Sequence, residues 1–185
     1  MKVYIGPYRK SSVDKRKISV RIDKYDTWSM DSTLAHIILP MLKQLRKTKH
    51  GAPNTDSEDV PAKLRDPRKD KKHWETDKNH FKRWDWILDE MIWAFEQKNT
   101  DWERKFHSGK SDILWQALGK DDKPIGKPRK FGEEKTKEEK EALFYRLVNG
   151  PKDTHKFDKK GYAKHFARMQ NGFKLFGKYY TNLWD

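Results

Sequence analysis

Asp85, Asp89 and Glu96 stand four and seven residues apart in the stretch DKNHFKRWDWILDEMIWAFEQ (Asp77 to Gln97), and Trp86 and Trp93 stand seven apart within it. At about 100° of rotation per residue, the carboxylates form one stripe along a helix and the two indoles line up beyond that stripe. Two chemistries fit. With His80, the stripe offers oxygen and imidazole ligands to Mg2+ or Mn2+, as a metal-dependent nucleotide or phosphodiester hydrolase would need. The indoles offer flat faces on which a base can stack. Each has a structural counterpart, because carboxylates also pair with cations along a helix edge and indoles also bury against a second helix or another subunit.

Basic segments with interleaved aromatics carry the second chemistry further. Lys71 and Lys72 precede Trp74, Lys82 and Arg83 precede Trp86, and Lys127, Arg129 and Lys130 cluster in a Pro- and Gly-rich stretch. Lysine and arginine supply phosphate affinity and exposed indoles supply stacking surface. Trp74, Trp86 and Trp93 are therefore the expected stacking residues, with Trp102 and Trp115 as further candidates. Lys71, Lys72, Lys82, Arg83, Lys127 and Arg129 are the expected phosphate contacts. The formal charge of +14, from 42 Lys and Arg against 28 Asp and Glu, makes a polyanion the natural partner.

Other chemistries fall away. The chain has no cysteine, which removes disulfides, thiolate metal sites and thiol nucleophiles. Gly109-Lys110-Ser111 has the ending of a phosphate loop, but Arg104 stands where its first glycine belongs. Gly126-Lys127-Pro128 lacks the hydroxyl for magnesium. None of the seven histidines forms an HExxH pair. Acid pairs on two helices hold magnesium in all-helical nucleotide pyrophosphohydrolases. Here Glu133, Glu134, Glu138 and Glu139, the only partners for Asp85, Asp89 and Glu90, fall in a Lys/Glu-rich segment that charge alternation explains. No apolar run suggests a signal peptide or a membrane span, so the expected setting is the cytoplasm, without a membrane partner.

These residues need elements to hold them. Hydrophobic residues make up only 34% of the 185, but eight Trp in an aromatic content of 13% let few side chains bury much area. Alternation over Lys2 to Tyr8 and Lys17 to Tyr25 predicts a small N-terminal β-hairpin within residues 1–26. Leu34, Ile37, Ile38, Met41, Leu42 and Leu45 predict a helix within 29–50, kinked at Pro40. The Asp77 helix extends toward Phe106, and a final helix spans 158–184, where Gly172 and Gly177 would let another helix approach closely. Residues 51–75 and 119–132 read as mobile basic loops, Asp112 to Leu118 as a short strand, and Glu133 to Val148 as a charged helix. The expectation is a single domain over 1–185, mainly α (α+β), a bundle of three or more helices with the hairpin packed against it.

Three blocks, Ile22 to Pro53, Asn79 to Gln97 and Arg168 to Asp185 with its closing LWD, resemble a family of small uncharacterised proteins encoded by tailed bacteriophages. The resemblance implies a viral protein in the host cytoplasm or the virion, and it carries over no catalytic residues. Combined with the charge and the aromatics, it leads to a non-enzymatic accessory protein that binds nucleic acid or sequesters a nucleotide signal used in host defence. The metal-dependent hydrolase and a virion or assembly component forming a homo-oligomer are the alternatives.

Overall fold

The computed structural model describes residues 1–6, 17–68, 72 and 74–184. Contact density divides the chain into two compact units, Met1–Trp102 with His165–Asp185, and Glu103–Lys164. Among the described residues there are three α-helices and seven short strands in three separate sheets. The fold is therefore mixed α+β. The expected helical bundle with one N-terminal hairpin is corrected by the two further sheets, both in the second unit.

In the first unit, strand β1 (Lys2–Ile5) pairs antiparallel with β2 (Ile18–Arg21). Helix α1 (Met30–Thr48) runs continuously through Pro40, and α2 (His80–Lys98) follows. The second unit ends at Lys164, in the second turn of α3 (Lys159–Lys178), and from His165 onward that helix belongs to the first unit. The core gathers Ala35 and Leu42 of α1, Trp84, Ile87, Leu88, Met91 and Phe95 of α2, Val60, and Leu175 with Tyr179. On α3 the deepest residues are Met169, Gly172 and Leu175. The buried line is thus displaced from the expected aromatic stripe, with Phe173 and Phe176 forming its half-buried margin against Phe95.

Gly172 explains that displacement. A Cβ there would collide with the Ala94 side chain and sit 2.7 Å from the Glu90 carbonyl oxygen. Only a glycine lets the two backbones come this close. Gly177, expected to play the same part, faces open space.

The segment 51–75, expected to be a mobile loop, is tied down in its described part. His80 Nε2 lies 3.0 Å from the Ala52 carbonyl, and Arg83 donates to the Leu64 carbonyl at 3.0 Å. Val60 is in the core. The Tyr179 hydroxyl donates to Asp59 at 2.7 Å and accepts from the Asp56 amide at 2.9 Å. Burial, reinforced by the Asp59 carboxylate, pushes that phenol up to about 12.

In the second unit, β4 (Ile113–Leu118) lies between β5 (Pro124–Arg129) and β6 (Phe144–Asn149), all antiparallel. Strands β3 (His107–Ser108) and β7 (Lys156–Phe157) pair separately. The expected strand at Asp112 to Leu118 is therefore present. The expected loop 119–132 and helix 133–148 are corrected to a tight turn, two strands and a single 3-10 turn (Glu138–Glu141). Pro124, Gly126 and Pro128 hid β5, yet proline is tolerated on an edge strand, and β5 is one. For 144–149, aromatic and β-branched residues fit a pleated surface better than a helix.

Two measurements test this packing. Gly172→Ala is expected to destabilise the first unit by about 2 kcal/mol in urea denaturation, because the helices must separate to admit a methyl group. Arg83 is buried and pairs with Asp77 at 2.6 Å. Its hydrogen bonds hold the Asp77 carboxyl below the usual carboxylate range, against the opposing effect of burial. With the folded pKa below the unfolded one, this stabilisation is complete above about pH 4 and is lost as pH falls through the folded value. Asp77→Asn should therefore flatten the acid limb of a stability–pH profile, and should lower stability at neutral pH by about 3 kcal/mol by leaving Arg83 without a counter-charge.

Candidate functional site: an aromatic cleft on the three-stranded sheet

The central strand sets the site. Register pairs Trp115 with Arg129 on one side and with Leu147 on the other, while Ala117 pairs with Tyr145. Side chains two apart on a strand share a face, so Trp115, Arg129 and Tyr145 emerge together. A bulge between Trp115 and Ala117 shifts the β5 register. The buried Gln116 amide pins it, donating to the Ile125 carbonyl at 3.1 Å and the Gly126 carbonyl at 3.3 Å. Past β5 the chain turns at Gly132, whose φ of +90° suits glycine.

Trp115 and Phe131 meet with ring centroids 5.5 Å apart at 41°, and Trp115 and Tyr145 at 6.0 Å and 67°. Arg129, Gly132, Glu133 and Lys135 complete the lining of a cleft of about 270 Å³. That is room for one flat ring system. Phe131 is 83% exposed, so its ring is an open wall and not a core residue. The Arg129 guanidinium lies 5.7 Å, and the Lys135 ammonium 5.1 Å, from the Tyr145 ring centre. With one face of the cleft already attended by two cations, a cationic ligand would meet like charge, whereas a ligand joining a flat ring to an anion meets complementary groups.

Glu139, only 2% exposed, holds the cleft in shape. Its carboxylate accepts from Arg129 Nε at 3.2 Å and from the Thr136 amide at 3.0 Å, and its carbonyl accepts from the Tyr145 hydroxyl at 3.3 Å. Arg129 Nη1 also donates to the Glu133 carbonyl at 2.8 Å, and Glu133 accepts from the Lys130 amide at 2.9 Å. One residue therefore fixes both, the cation through its buried carboxylate and one of the rings through its backbone carbonyl.

Of the residues expected from sequence, this cleft gathers Arg129, with Trp115 from the wider candidate set. Lys127 and Lys130 flank Arg129 and are exposed. The remaining expected residues, apart from Lys71, belong to the first unit. Trp74 is exposed with the Lys72 ammonium 5.3 Å from its ring, and Lys71 lies outside the described residues. Lys82 is exposed, and Arg83 is buried against Asp77. Trp86 packs half-buried against the core. Trp93 is covered by α3: the Arg168 guanidinium lies 3.9 Å from its ring, and His165 tilts against it at 4.9 Å. Arg168 in turn grips the buried Glu90 with two hydrogen bonds of 2.9 and 2.7 Å.

The carboxylate stripe meets cations of α1. Glu96 pairs with Lys43 at 2.6 Å, Asp89 with Arg46 at 2.8 Å, and Asp85 with Lys49 at 2.6 Å and Arg46 at 3.3 Å. The order reverses along the two helices, as an antiparallel pair requires. His80 faces the Ala52 carbonyl. The stripe and His80 are thus engaged separately, a poor fit to an Mg2+ or Mn2+ site, and among the described residues no three His, Asp or Glu side chains converge as metal ligands would.

Comparison of the chain with models of protein families, with curated proteins and with solved structures finds no match. No helix among the described residues is long and apolar enough to cross a membrane.

Sequence reasoning missed Phe131 and Tyr145. A short run rich in aromatic and apolar residues, Phe144-Tyr145-Arg146-Leu147-Val148, bounded by Asn149-Gly150-Pro151, was the signal available for Tyr145. Glu139→Ala is expected to accelerate amide hydrogen exchange across residues 129–145 by at least about tenfold, since a charge-assisted buried bond is lost. Amides of α1 and α2 should keep their protection in the same experiment.

Proposed function

We propose that the protein binds a phosphate-bearing ligand with a flat base, a nucleotide or a single-stranded nucleic acid, through the cleft of Trp115, Phe131 and Tyr145. The observation that carries this reading is the joining of three aromatic rings to two cations, one of them fixed by Glu139, in one open cleft. The base stacks on the open face of Phe131, beside Trp115. Its phosphate meets Lys135 at the rim, with Lys127 and Lys130 adding attraction from the neighbouring chain. Arg129 already bonds Glu139 and two carbonyls, so it shapes the cleft and lends positive potential. The reading requires binding without chemistry, because a stacking platform with lysines recognises phosphate and breaks no bond.

A viral setting, in the host cytoplasm or the virion, follows from the resemblance of the three sequence blocks to phage proteins. In that setting, capture of a nucleotide signal or coating of a nucleic acid are the two uses such a cleft would have.

Titration of intrinsic fluorescence with mononucleotides and single-stranded oligonucleotides tests the reading. Loss of one stacking platform corresponds to about 1–3 kcal/mol, so Trp115→Ala should weaken binding roughly 5- to 150-fold. Lys135→Ala should weaken it less and lower the salt dependence by about one counterion. Trp93→Ala, in the first unit, should leave affinity unchanged in folded protein. Binding that ignores salt, or that survives Trp115→Ala intact, would sink the proposal.

A further inference from the structure

Among the described residues, the N-terminal hairpin leaves an apolar face uncovered. Cross-strand register matches Val3 with Val20 and Ile5 with Ile18, placing all four on one side, with Lys2, Tyr4, Ser19 and Arg21 on the other. Ile22 continues the alternation. All five aliphatic residues are exposed, Ile18 by 65%. A two-stranded hairpin is marginal in water unless a helix or further strands cover its apolar side.

The exposure continues directly along the chain. Tyr25 and Trp28 follow in the turn, with Trp28 89% exposed. Met30, Leu34, Ile37 and Met41 then recur at i, i+4, i+7 and i+11 on α1. That line is separate from its buried Ala35 and Leu42, and Met41 is 62% exposed. The turn is tied to α1 by a hydrogen bond from Thr33 Oγ1 to the Asp26 carbonyl, and to the start of β1 by an ion pair between Asp26 and the Met1 amino group.

We propose that this N-terminal apolar surface is the contact between two copies of the chain, with the hairpin faces stacked as two layers. Three observations select a second copy. The exposed residues from Val3 to Met41 offer on the order of 1,000 Å² per chain, enough for the roughly 800 Å² each partner contributes to a standard interface. Among the described residues the hairpin face carries no charged side chain, so it offers nothing there to recognise a polyanion or an acidic protein. A flat face of Val and Ile is self-complementary, which is what a two-fold contact demands, and two stacked sheets bury such faces against each other.

Net charge makes the proposal distinguishable from ligand binding. Two chains of +14 repel, so added salt should strengthen association through an uncharged face, whereas it should weaken the capture of a phosphate ligand. The contact does not depend on the cleft of the second unit.

Sedimentation velocity on the ligand-free full chain, over a concentration series at low and high salt, is the first test. A dimer that tightens with salt is expected, and Ile18→Asp with Val20→Asp should weaken it by about 100-fold or more. Because the chain has no cysteine, single thiols give a second test that leaves the fold intact. Val20→Cys should cross-link two chains on mild oxidation, and Ser19→Cys, on the opposite side, should not. A monomer persisting to about 100 µM, equal cross-linking of the two cysteine variants, or flotation of a monomeric protein with lipid vesicles would overturn the proposal.

Discussion

The first unit depends on enclosing α2, and the constraint is that the chain has too few apolar residues to do so with hydrophobic contacts alone. Each side of α2 is closed by a different chemistry. Trp84, Ile87, Leu88 and Met91 form the core. Asp85, Asp89 and Glu96 face three cations of α1. Glu90 and Trp93 meet Arg168 of α3 where Gly172 admits close approach. Exposed ion pairs contribute little energy singly, but here their order along two helices discriminates the antiparallel register from its neighbours. The aromatic core supplies stability and the charges supply alignment.

The sequence was legible wherever one helix face could be judged by itself. The segments of α1, α2 and α3, the hairpin and β4 followed from periodicity, and Gly172 from its place beside an apolar stripe; the expected continuation of α2 toward Phe106 is corrected, since the helix stops at Lys98 and Glu103–Phe106 is a separate 3-10 turn. What covers a face was not legible. Helical projection put Trp86 and Trp93 on a separate side of α2, and could not show that Arg168 and His165 of α3 would cover Trp93. The second unit was harder, because β5 carries two prolines and a glycine and sits behind a run of Lys and Glu. Its cleft joins Trp115, Arg129 and Tyr145 by strand register, a relation between distant residues that no local pattern carries. Glu139 was hidden among alternating charges, although it is the one glutamate of that run that is buried.

Part of the positive charge is engaged inside the protein. Arg46, Arg83, Arg129 and Arg168 each reach more than one acceptor or ring within the protein. Their planar, multidentate guanidinium groups suit fixed internal geometry. Lysines such as Lys82, Lys127 and Lys130 are exposed. The field that reaches a ligand is therefore chiefly a lysine field, and counting arginines toward phosphate contact, as composition invites, overstates what is available. Arg129 belongs to both groups: its bonds to Glu139 and the Glu133 carbonyl position it, and its charge still faces the cleft.

That dual role bears on why the cleft could be a recognition site although it is small and rests on a sheet of only three strands. A loop of lysines and exposed aromatics would have to be ordered by its ligand, and the lost chain entropy would consume much of the contact energy. Here the ordering is done during folding. Gln116 fixes the bulge that sets the β5 register, Glu139 fixes Arg129 and accepts the Tyr145 hydroxyl, and Gly132 turns the chain so that Phe131 stands opposite Trp115. Gln116 and Glu139, which hold the geometry, are buried, and Phe131 and Lys135, which would touch a ligand, are exposed. Affinity and specificity can then be altered through Phe131 and Lys135 without disturbing the buried carboxylate, which is the arrangement a binding surface needs if its ligand is to change while its fold does not.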